Sequence, residues 1–242
     1  MVEDARPGLG RDVAIWLRGA VKASSGRRLG SGYQATVHLY TTPAGNLVVK
    51  KAHTSKHLGF LWRYMLRRED RVYALLRGIP GVPRSFGMLD DELLVLEHIS
   101  GPSLRAHETS LHDRERFFDE LLKTLQAMHA AGVVHGDLKR KDNIIVGPGE
   151  RPYLIDFGVA WLRSRSALLN RLWFEPGKQM DYNAWIKLKY QRRTDAISPA
   201  DAPLYRPLII ERIARGIRIP WQKLTMRRPR QRWRRPRRHN DE

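Results

Sequence analysis

The 242-residue sequence contains no cysteine, which excludes disulfide bonds, thiolate metal sites and cysteine nucleophiles from its chemistry. It also has no apolar run near the roughly 20 residues that a membrane-spanning helix needs. The acidic start, Met-Val-Glu-Asp at 1–4, lacks the apolar segment of a secretory signal. These absences predict a cytoplasmic protein without a transmembrane segment.

Acidic residues are outnumbered, because 25 Asp and Glu stand against 44 Lys and Arg and give a formal net charge of +19. Such an excess predicts an anionic partner such as nucleic acid, anionic lipid or a phosphorylated glycan. Arg dominates residues 227–238, where Trp233 would stack on bases or enter a lipid headgroup layer. We interpret residues 221–242 as a basic tail for nucleic acid or for the inner face of an anionic membrane. A solubilising end is the alternative.

Two short polar turns contain the residues best suited to chemistry. They follow apolar runs at 133–134 and 153–155 in a chain that is 42% hydrophobic and therefore globular. Asp137 could accept a proton from a hydroxyl group, and Lys139 could neutralise a phosphoryl group. Asn143 and Asp156 could hold metal ions. Since phosphoryl transfer depends on positioning and on charge neutralisation, this set predicts that reaction.

The same turns resemble the motifs of protein-kinase-like folds. His-Gly-Asp-Leu at 135–138 resembles the catalytic loop, and Asp-Phe-Gly at 156–158 resembles the metal-binding motif. The His-Gly-Asp form is most similar to the small atypical bacterial branch, which comprises RIO-type kinases and kinases of lipopolysaccharide core (Kdo) sugars. In the family the metal-binding Asn comes five residues after the catalytic Asp, where this sequence has Asp142. The apolar run that starts directly after Asn143 favours Asn143, with Asp142 as the alternative.

The N-terminal part contains candidates for nucleotide binding. Gly30 and Gly32 bracket a turn at which backbone N–H groups can approach phosphates, as in the Gly-rich loop of the family. Lys50 ends an apolar strand, and a buried Lys needs a partner. The resemblance implies that Lys50 binds the α- and β-phosphates and pairs with Glu69, nineteen residues further along in a helical segment. Lys51 is the competing assignment.

A further apolar strand at 92–97 resembles the segment that joins the two lobes of the family. Adenine would pair there with backbone groups, so the resemblance implies nucleotide contacts at Glu97 and Ile99. Leu96 would form the back of the pocket.

Four helices are expected from apolar spacing, at 11–22, 58–76, 113–131 and 204–216. The mixture of aromatic and basic residues at 56–68 suits either a helix with one face in the core or a membrane interface. A helix around 181–189 contains Asp181. This residue either accepts hydrogen bonds from the backbone of the catalytic loop, as an Asp of the family does, or begins the helix.

The resemblance implies an α+β, bilobal protein-kinase-like fold with an antiparallel sheet and one helix in the N-lobe and a reduced, mainly helical C-lobe. We place an N-terminal extension at 1–26, the N-lobe at 27–99, the C-lobe at 100–220 and the tail at 221–242. Conventional protein kinases close the activation segment with Ala-Pro-Glu. That motif is absent after residue 158, as in RIO-type and sugar kinases.

The function implied is transfer of the γ-phosphate of ATP to a hydroxyl group with Mg²⁺ or Mn²⁺. The acceptor would be a protein Ser or Thr, as for RIO-type kinases. The first alternative is a sugar hydroxyl of the lipopolysaccharide core. The second is a non-catalytic pseudokinase or a protein that binds anionic surfaces.

Overall fold

The computed structural model describes residues 9–31, 35–42, 45–53 and 59–206. Its first half contains a sheet of five antiparallel strands. The strands lie in the order β1-β2-β3-β5-β4, so β3 has neighbours on both edges. Strand β3 is therefore the central strand of the sheet, and a polar side chain buried there is costly without a partner. The strands are β1 Arg27–Ser31, β2 Ala35–Thr42, β3 Gly45–Ala52, β4 Ser85–Leu89 and β5 Leu93–Glu97.

Helix α1, Arg11–Lys22, covers one face of this sheet, as its sequence predicted. Leu17 is fully buried and packs in a cluster with sheet residues that include Tyr40 and Val49. Ile15 and Trp16 are exposed on the same helix, so its outer surface combines polar and apolar side chains.

Helix α2, Gly59–Leu75, packs on the sheet from the other direction. Trp62 and Leu66 are buried in the main core, so one face of this segment packs in the core, which was one of its two predicted roles. Phe60 and Tyr64 are exposed on the outer side. The described helix therefore combines a core face with an aromatic outer face.

Helix α4, Arg114–Ala130, forms the centre of the second half. Its apolar residues at spacings of three and four, Phe117, Leu121, Leu125 and Met128, are all fully buried. Asp113 begins the helix by accepting a hydrogen bond from the Arg116 N–H at 2.9 Å. The predicted helix at 113–131 is thus confirmed to within one residue at each end.

Two small antiparallel sheets lie against α4 and connect it to the candidate site. Strand β6, Val133–Val134, pairs with β9, Trp161–Leu162, while β7, Ile144–Val146, pairs with β8, Pro152–Leu154. The polar turns singled out in the sequence follow β6 and β8. These pairings therefore bring the turns together.

The last long helix, α6 Glu175–Lys189, begins six residues before Asp181. Trp185 of α6 is fully buried, and its Nε1–H donates a hydrogen bond to the Phe118 carbonyl at 2.8 Å. Shorter helical pieces complete the described fold: α3 Leu104–His107, α5 Ala167–Leu169, a π-helical turn at Asn170–Phe174, and 3₁₀ turns at Glu108–Ser110, Lys141–Asn143, Pro148–Glu150, Thr194–Ala196 and Ala202–Leu204.

One hydrophobic core extends through both halves, from Leu66 of α2 and Leu96 of β5 to the buried face of α4. The described residues up to Tyr205 belong to one compact unit. The predicted α+β architecture, with an antiparallel sheet first and helices after it, is confirmed. Gly32, most of the predicted 204–216 helix and the tail at 221–242 lie outside the described residues. In the described ranges no helix is long and apolar enough to cross a membrane.

Candidate active site

Lys50 lies at the centre of the candidate site, on the middle strand of the first sheet. It pairs with Val37 on one side and Leu94 on the other, and its side chain is almost completely buried. The Nζ atom is 2.6 Å from Oε1 of Glu69 on α2 and 2.9 Å from Oδ1 of Asp156. Three separate segments of the chain therefore meet at one ammonium group.

Charge complementarity keeps Lys50 and Asp156 ionised. Burial alone would lower the pKa of Lys50, but the carboxylates of Glu69 and Asp156 outweigh it and raise that pKa. Burial alone would raise the pKa of Asp156, yet Lys50 holds it below its ordinary value. At neutral pH the site therefore contains a buried cation beside a carboxylate with a partly exposed side chain.

The backbone at Asp156 has an unusual conformation, with φ of 67° in the left-handed region. The next residue, Phe157, is fully buried. Its ring centroid lies 5.0 Å from those of both Tyr73 and His135, edge-on to Tyr73. Packing of Phe157 thus fixes the turn that directs Asp156 towards Lys50.

The catalytic-loop segment is held by the carboxylate of Asp181, which is almost fully buried. Its Oδ2 accepts hydrogen bonds from the His135 N–H at 2.8 Å and from His129 Nε2 at 3.1 Å. Its Oδ1 accepts from the Gly136 N–H at 3.1 Å. Of the two readings of Asp181, bracing of the loop is confirmed, and the helix-start reading is wrong because α6 begins at Glu175.

Asp137 lies between His135 and Asn143 in this loop. Its N–H donates to His135 Nδ1 at 3.3 Å, and its carbonyl accepts from Asn143 Nδ2 at 3.1 Å. Burial raises the pKa of the Asp137 carboxyl, and the negative charge of Asp156 adds to the shift, while Arg140 and His135 oppose it. A carboxylate with a raised pKa is a better proton acceptor while it stays ionised.

The two candidate metal ligands of the loop point to different surroundings. Asn143 is buried beside Asp137. Its backbone carbonyl accepts a hydrogen bond of 3.0 Å from the N–H of Ile155, the residue before Asp156. Asp142 is turned to the outside, where both of its carboxylate oxygens lie 2.8 Å from Arg105 Nε. The geometry therefore favours Asn143 as the partner of Asp156.

Mg²⁺ fits this donor set. The cation prefers oxygen ligands and usually takes only one or two carboxylates together with water and substrate phosphates. Asp156 and the side-chain oxygen of Asn143 supply that kind of partial shell. Among the described residues there is no cluster of three or more His, Cys, Asp or Glu that would make a complete protein cage.

The remaining predicted residues lie on the turn of Asp137, on the first sheet and directly after it. Lys139 is exposed on the same turn as Asp137. Gly30 lies at a register shift in β1, where an added side chain would meet open space. Leu96 is buried on β5, and Ile99 follows it, half-buried. The Glu97 N–H donates to the Arg84 carbonyl at 2.8 Å, so adenine would have to use other backbone groups of this segment.

Three contacts around the site were not predicted from the sequence. Arg140 Nη1 lies 3.8 Å from Oδ2 of Asp137, and Tyr73 contacts Phe157 edge-on. Arg68 of α2 donates a hydrogen bond to the Ala160 carbonyl, just after the Asp-Phe-Gly turn. The spacing of three residues between Asp137 and Arg140 within a turn could have predicted the first of these contacts. Nothing in the local sequence indicates the other two contacts.

A buried lysine, a helix glutamate and two loop aspartates between a sheet and a helical half define a bilobal, kinase-like fold. The model of the protein kinase domain family matches residues 23–174. That match covers more than half of the chain, so the chain belongs to the protein kinase family. The predicted protein-kinase-like fold is thereby confirmed, while its assignment to the RIO-type branch stays a prediction.

The chain is similar to proteins from several kingdoms. A putative cyclin-dependent kinase F-2 of Oryza sativa subsp. japonica is 37% identical over 159 residues, which are 58% of this chain and 47% of the relative. A probable bifunctional tRNA threonylcarbamoyladenosine biosynthesis protein of Methanosarcina acetivorans is 29% identical over 153 residues, 58% of this chain and 26% of the relative. The mitogen-activated protein kinase spk1 of Schizosaccharomyces pombe is 32% identical over 129 residues, 49% and 34% respectively. The chain thus spans less than half the length of each of these relatives.

Proposed function

We propose that this chain is an ATP-dependent phosphotransferase that moves the γ-phosphate to a hydroxyl group. The observation that carries the proposal is the buried ammonium of Lys50, 2.6 Å from Glu69 and 2.9 Å from Asp156. A buried cation beside a half-exposed carboxylate is suited to the α- and β-phosphates of a nucleotide. Glu69 orients Lys50 for that contact.

Asp137 is the proposed catalytic base. It orients the acceptor hydroxyl and takes its proton as the oxygen attacks the γ-phosphate. Its position is fixed before substrate binds, because the Gly136 N–H donates to Asp181 and the Asn143 side chain donates to the Asp137 carbonyl. Lys139 offsets the negative charge of the γ-phosphate from the exposed side of the turn.

Asn143 and Asp156 are the proposed metal ligands. A bound Mg²⁺ or Mn²⁺ supplies charge neutralisation between the phosphates of ATP. Asp142 is the weaker candidate, because its carboxylate already faces Arg105. Gly30, Gly32, Leu96, Glu97 and Ile99 are the residues proposed to line the nucleotide.

For the acceptor we propose a Ser or Thr hydroxyl of a protein, in the manner of RIO-type kinases. The family match supports phosphoryl transfer in general, and the proposal of a protein acceptor rests on the resemblance of the His-Gly-Asp loop to RIO-type kinases. A sugar hydroxyl of the lipopolysaccharide core is the second candidate, favoured by the basic and aromatic residues at 56–68 and 221–242. A non-catalytic role is disfavoured, because every charged residue that the reaction needs is present.

The cellular setting belongs to the same proposal. The net charge of +19 and the Arg-rich residues 221–242 support contact with an anionic membrane surface or nucleic acid. We propose a cytoplasmic protein that associates with the inner face of the membrane.

The test is transfer of radiolabelled phosphate from ATP to three acceptors: the protein itself, a generic protein substrate, and intact or delipidated outer-membrane glycolipid. Asp137→Asn should lose about 10²–10⁴-fold in transfer, while ATP binding stays within about twofold. The matched control is Asp119→Asn, the same change at an exposed position outside the site, which should keep transfer. Equal turnover in Asp137→Asn and wild type would refute the assignment.

A further inference from the structure

An exposed apolar helix face follows the candidate active site in the chain. Four large side chains within six residues are largely open to solvent: Leu168 at 65%, Leu169 at 47%, Leu172 at 53% and Trp173 at 63%. Residues 168 and 172, and residues 169 and 173, are four apart, so both pairs lie on one side of the helical segment. Contiguous exposed apolar surface of this kind marks an interaction site.

This segment is held firmly in place. Asn170 and the backbone of Ser164 exchange two hydrogen bonds of 2.7 Å. Phe174, on the inner side of the helix, is buried and has the Arg163 guanidinium 4.9 Å from its ring centroid. A π-helical turn at Asn170–Phe174 continues directly into α6. The apolar face is therefore a fixed feature of the described fold.

The exposed charges beside the four apolar side chains are positive up to Phe174, and Glu175, which follows, is paired with Lys178 at 2.8 Å. Residues 159–174 contain three Arg and no Asp or Glu. Arg165 and Arg171 are exposed beside the four apolar side chains. Three like charges would repel an identical face of a second copy, so charge complementarity favours an anionic partner.

We propose that this face, Arg165, Leu168, Leu169, Arg171, Leu172 and Trp173, binds an anionic phospholipid bilayer. Interfacial helices bind in this way, with Trp and Leu entering the boundary of headgroups and acyl chains and Arg contacting lipid phosphates. The binding is distinct from phosphoryl transfer and from the Arg-rich tail. It would hold the cleft close to the membrane surface, since the segment follows the Asp-Phe-Gly turn by fewer than ten residues.

The test is co-sedimentation of the full chain with vesicles of phosphatidylcholine alone or mixed with phosphatidylglycerol, without nucleotide. Leu172→Ser combined with Trp173→Ser should weaken partitioning into the mixed vesicles by about tenfold or more. The control is Ile15→Ser with Leu75→Ser, which removes two exposed apolar residues of α1 and α2 and should leave partitioning within about twofold. Thermal unfolding midpoints should stay the same, because all four residues are exposed.

Arg165→Gln and Arg171→Gln should each weaken binding to the mixed vesicles by about fivefold and leave binding to pure phosphatidylcholine unchanged. Trp173→Phe keeps an apolar ring, so it should keep binding but lose part of the fluorescence quenching by lipids with brominated acyl chains. That readout places residue 173 in the bilayer even though the chain contains seven Trp.

Several outcomes would overturn the proposal. One is wild-type partitioning of the Leu172→Ser, Trp173→Ser protein, which would leave the Arg-rich tail as the binding element. Another is unchanged quenching in Trp173→Phe. A third is self-association without vesicles that the double substitution abolishes, and a fourth is binding of RNA with the same dependence on Leu172 and Trp173. Since no nucleotide is present, failure here says nothing about phosphoryl transfer.

Discussion

Two buried lysines in this protein have similar surroundings and different consequences. Lys50 is buried between Glu69 and Asp156. Lys189, at the end of α6, is equally buried and lies 2.8 Å from Glu115, 3.3 Å from Asp119 and 2.9 Å from Asp201. In both cases burial would lower the pKa of the lysine and neighbouring carboxylates raise it.

The difference lies in what else the carboxylates do. Around Lys189, Asp201 also accepts a hydrogen bond of 2.6 Å from the Tyr190 hydroxyl, and Trp185 lies below the ammonium. Those contacts hold the end of α6 to the residues after it. The negative charge of Asp156 instead acts on the carboxyl of Asp137 in the neighbouring turn and raises its pKa. Burial and pairing alone therefore do not make a lysine a candidate for chemistry; Lys50 is one because its partner Asp156 also acts on Asp137.

The largest expected effect separates the two lysines directly. Lys50→Met should lower phosphoryl transfer by about 10²–10³-fold, because a preorganised charge on the phosphates is lost. Lys189→Met should leave transfer per folded molecule unchanged and lower the free energy of unfolding by about 1–3 kcal/mol, since it removes an ion-pair partner from Asp201. The measurements are transfer rates well below both unfolding midpoints and urea denaturation of each variant. If Lys189→Met abolished transfer, or if Lys50→Met kept it, the distinction would be wrong.

The sequence predicted the Lys50 cluster better than the Lys189 cluster for a physical reason. A Lys at the end of an apolar strand and a Glu in the following helix form a local pattern, and the loop motifs resemble a known family. The contacts of Lys189 depend on how α6 packs against α4 and on the turn that contains Asp201. Such long-range packing leaves no periodic signal in the chain.

Long-range packing also decides two features of the catalytic loop that the sequence left open, the choice of metal ligand and the role of Asp181. Asp142 is turned away from Asp156 because it pairs with Arg105, and Arg105 lies on α3, outside the loop motif. The bracing role of Asp181 depends on where α6 begins, and the sequence placed that start six residues too late. Periodicity found the buried face of α4, because each of its apolar residues is part of the local pattern.

A smaller effect is expected from neutralising one carboxylate in each cluster. Glu69→Gln should lower transfer by about tenfold, because Lys50 loses the charge that orients it, while ATP binding weakens less. Asp119→Asn is the matched change beside Lys189. Its side chain is 57% exposed and two other carboxylates remain, so stability should change by less than about 0.5 kcal/mol. Steady-state kinetics and thermal unfolding measure both. A loss of activity in Asp119→Asn as large as in Glu69→Gln would contradict the comparison.

The smallest effect concerns pH and affects only the Lys50 side of the comparison. Transfer requires ionised Asp137, so the rate should fall as the pH drops through the pKa of this carboxyl, which burial raises above its ordinary value. Arg140, 3.8 Å away and largely exposed, lowers that pKa. In Arg140→Ala the pKa therefore rises further, and the acid limb of kcat/KM should move to higher pH by about 0.5 unit. Arg105→Ala, which removes an exposed cation from Asp142 instead, should leave the limb in place. A shift to lower pH in Arg140→Ala would mean that another group controls the limb.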